Sequence, residues 1–210
     1  DGASFRFLTG DLWKNLLLLI VLAGAVRSFE DIRGFCLAML GGGFMFALYA
    51  YFMGHIGWDG RLAGMPYYDA NDVGMILVGM MPLSLYFLTR GKNIQEKAMA
   101  LLSLPFFLQV TILTGSRGAF LGMIAVGLYF LFGFGSIRWS TRLIAVVAAV
   151  LLMVAVGSEQ YWETINTLLH PKDDYNWSGQ SETGRMEVWK RGMGYMLSHP
   201  LTGVGVYAFP

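Results

Sequence analysis

Six stretches of this chain run for fifteen residues or more with little or no charge: Leu12–Val26, Gly34–Met53, Val73–Thr89, Ala98–Thr114, Gly118–Gly135 and Leu143–Gly157. A helix that crosses a bilayer needs about 20 mostly apolar residues and tolerates charge poorly at its centre. Each stretch is bounded by charged or turn-forming residues, and Lys14 lies near one end of the first, where a long side chain can snorkel to the interface. The pattern predicts an all-α, polytopic transmembrane bundle of about six spans over residues 1–157. Residues 158–210 then form the first part of a water-facing loop. No charged leader with a small-residue cleavage site precedes the spans, so the start does not read as a signal peptide.

Composition closes the other routes. With 55% hydrophobic and 14% charged residues, a soluble globule would lack the polar side chains to cover itself. A net charge of +1 without basic clusters points to no nucleic-acid partner. The segments do not alternate apolar and polar residues, which excludes a barrel. The single cysteine, Cys36, can form no internal disulfide.

The loops Arg27–Arg33, Arg90–Lys97 and Ser136–Arg142 alternate so as to share one side, and together they hold seven lysines and arginines. The other side has Arg6 and Arg61, with Lys14 at the boundary. This asymmetry places the three basic loops in the cytoplasm. The Gly54–Asp72 loop, the Gly115–Arg117 turn and the tail after Gly157 are then outside. Trp58, Tyr67, Tyr68, Trp139, Tyr161 and Trp162 stand near expected span ends, where amphipathic rings prefer to sit.

Charge returns after Gly157, as at Glu159, Glu163, Lys172 and Asp173. Pro171 and Asp173–Gly179 read as loop. Ser181 or Thr183 can cap a helix that runs to about Ser198, where His199-Pro200 ends it. The chain starts without Met and stops at Pro210 in this loop, and is expected to be a piece of a longer protein.

Arg117, in Thr114-Gly115-Ser116-Arg117-Gly118, stands between two spans on the outer face. Its planar fork suits phosphate oxygens, and the glycines permit close approach of a ligand. An interfacial anchor or an ion pair is the plainer use. Asp69-Ala70-Asn71-Asp72 opens the third span, where carboxylates serve as caps and complement the helix dipole. They can equally orient Arg117 or bond a polar substrate. In the outer helix Arg185 shares a face with Trp189, Gly192 and Met196. Arg191 lies about 120° away on the helix, four residues from Glu187, and is expected to form a solvated ion pair. His199 is expected to bond terminal carbonyls, His170 to be solvated and His55 to lie at the interface. No residue spacing matches a zinc site, a phosphate-binding glycine loop or a nucleophile elbow. Leu201–Gly205 reads as a permissive glycine turn.

Ser181-Glu182-Thr183-Gly184-Arg185, Trp189, His199-Pro200-Leu201-Thr202-Gly203-Val204-Gly205 and Phe209 together resemble the outer-loop pattern of the O-antigen ligase and O-antigen polymerase superfamily. Asp69-Ala70-Asn71-Asp72, Met81-Pro82-Leu83 and Thr114–Gly118 resemble its membrane-face motifs in the same order. The resemblance implies a bacterial inner-membrane protein with its active face in the periplasm. It implies metal-independent, inverting transfer of glycan from an undecaprenyl-pyrophosphate carrier to a hydroxyl of lipid A-core, another glycan or a protein, with no cofactor. Arg117 and Arg185 match family arginines that meet the diphosphate. Ser116, Asp69, Asn71, Asp72 and Arg191 complete the candidate substrate-binding residues. The family's proposed catalytic histidine lies after Pro210, so no catalytic residue is assigned. The competing classes are a polysaccharide or lipid transporter or flippase, which calls for charge inside a span, and a non-catalytic membrane scaffold.

Overall fold

The computed structural model describes residues 2–135, 137–170 and 184–205. Two compact units divide the chain, one formed by Asp1–Ile32 with Leu169–Pro210 and the other by Arg33–Leu168. In the first, α1 (Gly2–Phe7) passes through a π turn at Leu8–Leu12 into α2 (Trp13–Ala25). The apolar helix runs from Phe5 to Ala25, so Lys14 lies inside it rather than near its end. No described residue of α2 is buried, as suits a helix whose surroundings are themselves apolar.

Helix α3 (Phe29–Met53) starts ahead of the expected Gly34. Ser28 and Asp31 cap it reciprocally: Asp31 Oδ2 accepts the Ser28 N–H at 2.9 Å and Ser28 Oγ accepts the Asp31 N–H at 3.1 Å. Most of the basic segment Arg27–Arg33 is therefore helix. A two-stranded antiparallel hairpin follows, β1 (His55–Ile56) and β2 (Leu62–Ala63), paired His55 to Ala63 and Ile56 to Leu62. Then come α4 (Ala70–Arg90), α5 (Ile94–Leu113) and α6 (Arg117–Leu128), the last continuing as a π turn through Tyr129–Gly133. Asn93 caps α5, its side chain accepting the Glu96 N–H at 2.9 Å, and starts that helix before the expected Ala98. Helices α7 (Trp139–Val156) and α8 (Glu159–Asn166) complete the second unit.

The bundle is polytopic, and among the described residues five helices are long and apolar enough to cross a membrane; the run expected as a span over Gly118–Gly135 forms the shorter apolar helix Arg117–Gly133. The core lies among α3, α4 and α5, where Leu40, Val73, Leu77, Phe87, Phe107 and Val110 are fully buried. Missing side chains set how close the helices come. A Cβ on Gly74 of α4 would lie 2.8 Å from that of Ala119 in α6, and one on Gly122 would lie 2.8 Å from Val78 Cγ1. Such close approach is how helices gain packing where the hydrophobic effect cannot drive them together. At one end of the bundle Arg33 pairs with Glu96, and its guanidinium lies 5.0 Å from the Phe87 ring centre. Among α4–α7 an apolar cleft of about 400 Å³ is lined by Met81, Leu104, Phe120, Met123, Val146 and Met153, among others.

Helix α9 (Arg185–Ser198), in the first unit, begins with Gly184 at its N-cap and no side-chain cap. Ser181 and Thr183, the expected caps, lie outside the described residues, as does the Asp173–Gly179 loop, and the helix starts after both caps. Glu187, the partner that spacing gave Arg191, pairs with Lys190 at 2.6 Å. An i,i+3 partner reaches it as readily as an i,i+4 one. The His199 ring bonds Ser198 Oγ through Nδ1 at 2.9 Å rather than a terminal carbonyl; its backbone N–H is what meets the Tyr195 carbonyl. Gly203 has φ +62, as its turn demands.

Candidate functional site

The site is built at the end of the second unit where α4 begins and α5 ends. Asp69 Oδ1 accepts the backbone N–H groups of Asn71 and Asp72 at 2.7 and 2.9 Å, and Asp72 Oδ2 accepts that of Asp69 at 3.2 Å. This capping box directs both carboxylates to the positive end of the α4 dipole, the plainer of the two uses the motif allowed. The half-buried Asn71 side chain takes no part in the box. Its Oδ1 accepts from Arg61 Nη2 at 2.8 Å.

Arg61 reaches this point from the hairpin, where its neighbour Leu62 is buried. Arg61 Nε donates to the Thr114 carbonyl at 2.9 Å. That oxygen stands at the C-terminus of α5, where carbonyls lack helical partners and the dipole is negative, so a guanidinium there is favourable. The next residue, Gly115, has φ +58, and a Cβ on it would lie 3.1 Å from Arg61 Cγ. Glycine is therefore required twice, by the backbone and by the arginine stem.

The turn is fastened from within. Thr114 Oγ1 donates to the Thr111 carbonyl at 2.6 Å and accepts the Ser116 N–H at 3.2 Å. Ser116 caps α6, its Oγ accepting the Ala119 N–H at 3.3 Å. Arg117 is the first residue of α6, half-buried, and its Nη1 donates to Thr167 Oγ1 at 2.8 Å. Thr167 follows α8, and its hydroxyl in turn donates to the Thr164 carbonyl at 2.7 Å.

Helix α8 is seated by Tyr161 and Ile165 against Ile112 of α5. Tyr161 was expected at the membrane interface; it is 4% exposed. Its hydroxyl is buried with no hydrogen-bond partner among the described residues. Burial pushes the phenol up to about 12. The hairpin turn meets α8 as well, Gly60 lying against the Gln160 side chain. In contrast Trp58 and Tyr67 are fully exposed.

Of the three segments expected on one face, the Gly54–Asp72 loop, the Gly115–Arg117 turn and the first part of the tail after Gly157, as far as Thr167, come together. Asp69, Asn71, Asp72, Ser116 and Arg117 gather there. Arg185 and Arg191 belong to the other unit, where Arg185 is the exposed first residue of α9 and Arg191 is half-buried. Two members escaped the sequence. Arg61 was only a charge on the outer side, although, like Arg117, it is an arginine beside a glycine in an outer segment. Thr167 had no signal, since nothing marks one threonine among others. Among the described residues no cluster of three His, Cys, Asp or Glu side chains is placed to hold a metal ion.

At this end of the bundle Arg61 rests on neutral oxygens. Among the described residues the Arg61 guanidinium bonds a carbonyl and an amide and pairs with no carboxylate, so its charge is not cancelled. Such a surface attracts an anion with several oxygens.

Comparison with known proteins gives a family. No curated protein and no solved structure matches the chain. A family model described as O-Antigen ligase matches residues 98–210, more than half of the chain, and that match takes in the Thr114–Gly118 turn, Arg117 and Arg185. With a polytopic helical bundle and this match over its larger part, the chain belongs to the O-antigen ligase family.

Proposed function

We propose that this chain is part of a bacterial inner-membrane enzyme that moves a glycan from an undecaprenyl-pyrophosphate carrier to an acceptor hydroxyl, with the Arg117 end of the bundle in the periplasm. Arg117 at the start of α6, directly after the turn that Arg61 fastens, supports the reading. In this reading Arg117 meets the negative charge that develops on the diphosphate, and the hydrogen-bonded Thr114–Ser116 turn sets where α6 begins. Family membership supports a glycosyltransferase-like enzyme. The acceptor is lipid A-core, another glycan or a protein.

The acceptor oxygen attacks the anomeric carbon from the face opposite the diphosphate, and its proton passes to a base. The bond from the anomeric carbon to the diphosphate oxygen breaks, and its electron pair leaves with the lipid diphosphate. Arg117 stabilises that leaving group. Removing one such donor from a preorganised site costs roughly 3 kcal/mol of transition-state stabilisation, or about 10²-fold in rate. No metal or nucleotide sugar enters these steps. The apolar cleft among α4–α7 suits the carrier's hydrocarbon chain. Arg185 is a candidate in its own right, tested by its own substitution.

The test is a glycan-transfer assay of the full-length protein carrying Arg117→Ala, Arg117→Lys or Arg185→Ala at wild-type abundance. Loss of transfer in Arg117→Ala, with partial activity in Arg117→Lys, is expected. Normal transfer in Arg117→Ala sinks the proposal. Two other classes, a flippase and a scaffold, predict no new glycosidic bond in any variant.

A further inference from the structure

We propose that Arg61 is a positioning residue for Arg117, an inference that rests on the diphosphate site proposed above. Arg117 sits at the first position of α6, so its guanidinium goes where the Thr114–Ser116 turn sends the helix. From the hairpin side, among the described residues, Arg61 fastens that turn. Arg61 Nε holds the Thr114 carbonyl at 2.9 Å while Arg61 Nη2 holds Asn71 Oδ1 at 2.8 Å. One rigid, planar group therefore fixes the end of α5 to the start of α4.

The surrounding residues keep this contact in place. Asn71 is fixed at the first turn of α4 by the Asp69–Asp72 capping box. Gly74, one turn further along α4, lies against the same turn: a Cβ there would stand 3.1 Å from Thr114 Oγ1 and 3.3 Å from Ser116 Cβ. Gly115 lets the Arg61 stem lie on the backbone. Lysine cannot replace Arg61, because an ammonium is a point charge without the fork that meets both oxygens in one plane.

Displacement of a catalytic group by about 1 Å can cost 10²-fold in rate. The deciding experiment is a double-substitution cycle on the full-length protein, reconstituted in liposomes with a lipid-diphosphate-linked oligosaccharide and its acceptor. Arg61→Ala and Arg61→Lys are measured in the wild-type and the Arg117→Lys backgrounds, with kcat and donor KM determined separately. Expected is a roughly 10- to 100-fold lower kcat for both Arg61 variants, with donor KM within about twofold. In the Arg117→Lys background the same changes lower kcat by less than about threefold, since a misplaced partner leaves little to lose.

Equal losses in both backgrounds overturn the proposal, as does a loss confined to KM, which would mean direct binding. If Arg61→Ala reduces folded protein, Asn71→Leu, which removes one anchor of the same fork, must reproduce the drop in kcat. Normal kcat in Asn71→Leu then counts against the proposal. The two ideas fail separately: an inactive Arg117→Ala with a fully active Arg61→Ala sinks only this inference, and a fully active Arg117→Ala sinks the site itself.

Discussion

Arg33 and Arg61 stand at opposite ends of the same helical unit and do mechanically similar work with opposite electrostatics. Arg33 joins α3 to α5 through Glu96 and lies over the ring of Phe87 in α4. Its side chain and that of Glu96 are 13% and 11% exposed. The charge is cancelled, and what remains is a clamp. Arg61 ties the hairpin to α4 and α5, but through an amide and a carbonyl. Its charge remains in the site. A guanidinium anchored by neutral oxygens fastens its neighbours without bringing a carboxylate of its own into the site, where it would repel an anion.

Breaking the structural clamp should have the largest effect on stability. Arg33→Ala leaves Glu96 without its partner in a poorly hydrated place, and a loss of about 3–5 kcal/mol is expected. Arg33→Met with Glu96→Leu should recover most of it, read by thermal melting in detergent. A single substitution as stable as wild type would show that the two ends do not differ in this way.

Gly74→Ala comes next, at about 1–3 kcal/mol, because its Cβ would meet that of Ala119 at 2.8 Å. Ala119→Gly in the same chain should restore the melting temperature. No rescue would mean that the contact between α4 and α6 is not what the glycine serves.

Inorganic diphosphate sharpens the comparison directly. At ten times its Kd it should stabilise the wild type by about 1.4 kcal/mol. The gain should vanish in Arg117→Ala and persist in the Arg33→Met, Glu96→Leu double variant. Equal stabilisation of all three would place the anion elsewhere.

The smallest effect is at Tyr161. Removing a buried hydroxyl that has no partner among the described residues costs nothing and can add up to about 1 kcal/mol, so Tyr161→Phe should melt at or slightly above the wild-type temperature. Because the folded phenol is pushed up to about 12, above the ordinary value of 10.0, the folded state holds its proton more tightly than the unfolded state. The contribution of Tyr161 to stability is whole below pH 10 and is lost as pH rises toward 12. A difference titration of wild type against Tyr161→Phe near 295 nm checks this, and ionisation near pH 10 would contradict it.

Much of this architecture was legible from residue order. Uncharged runs gave the helices because a bilayer admits only segments that satisfy their own backbone. Their ends were less legible. Ser28, Asp31 and Asn93 start α3 and α5 inside segments that looked like basic loops, since capping outweighs the local charge. The fifth apolar run is too short as a helix to match the others, because its helix begins only after the Thr114–Ser116 turn and ends in a π turn. In the site, Arg117 and the Asp69–Asp72 motif stood out by residue type, whereas Arg61 and Thr167 did not, since their roles come from partners 53 and 50 residues away.

Sequence alone determined that this chain is a polytopic membrane protein, that charged residues are few and separable into faces, and that its motifs resemble one family. Those properties are local or compositional, and water and lipid impose them on any chain of this kind. Only the tertiary structure decided that Arg33 meets a carboxylate and that Arg61 meets an amide and a carbonyl. That outcome depends on which helix ends meet, and a hydrogen bond between distant segments leaves no pattern in the sequence that carries it.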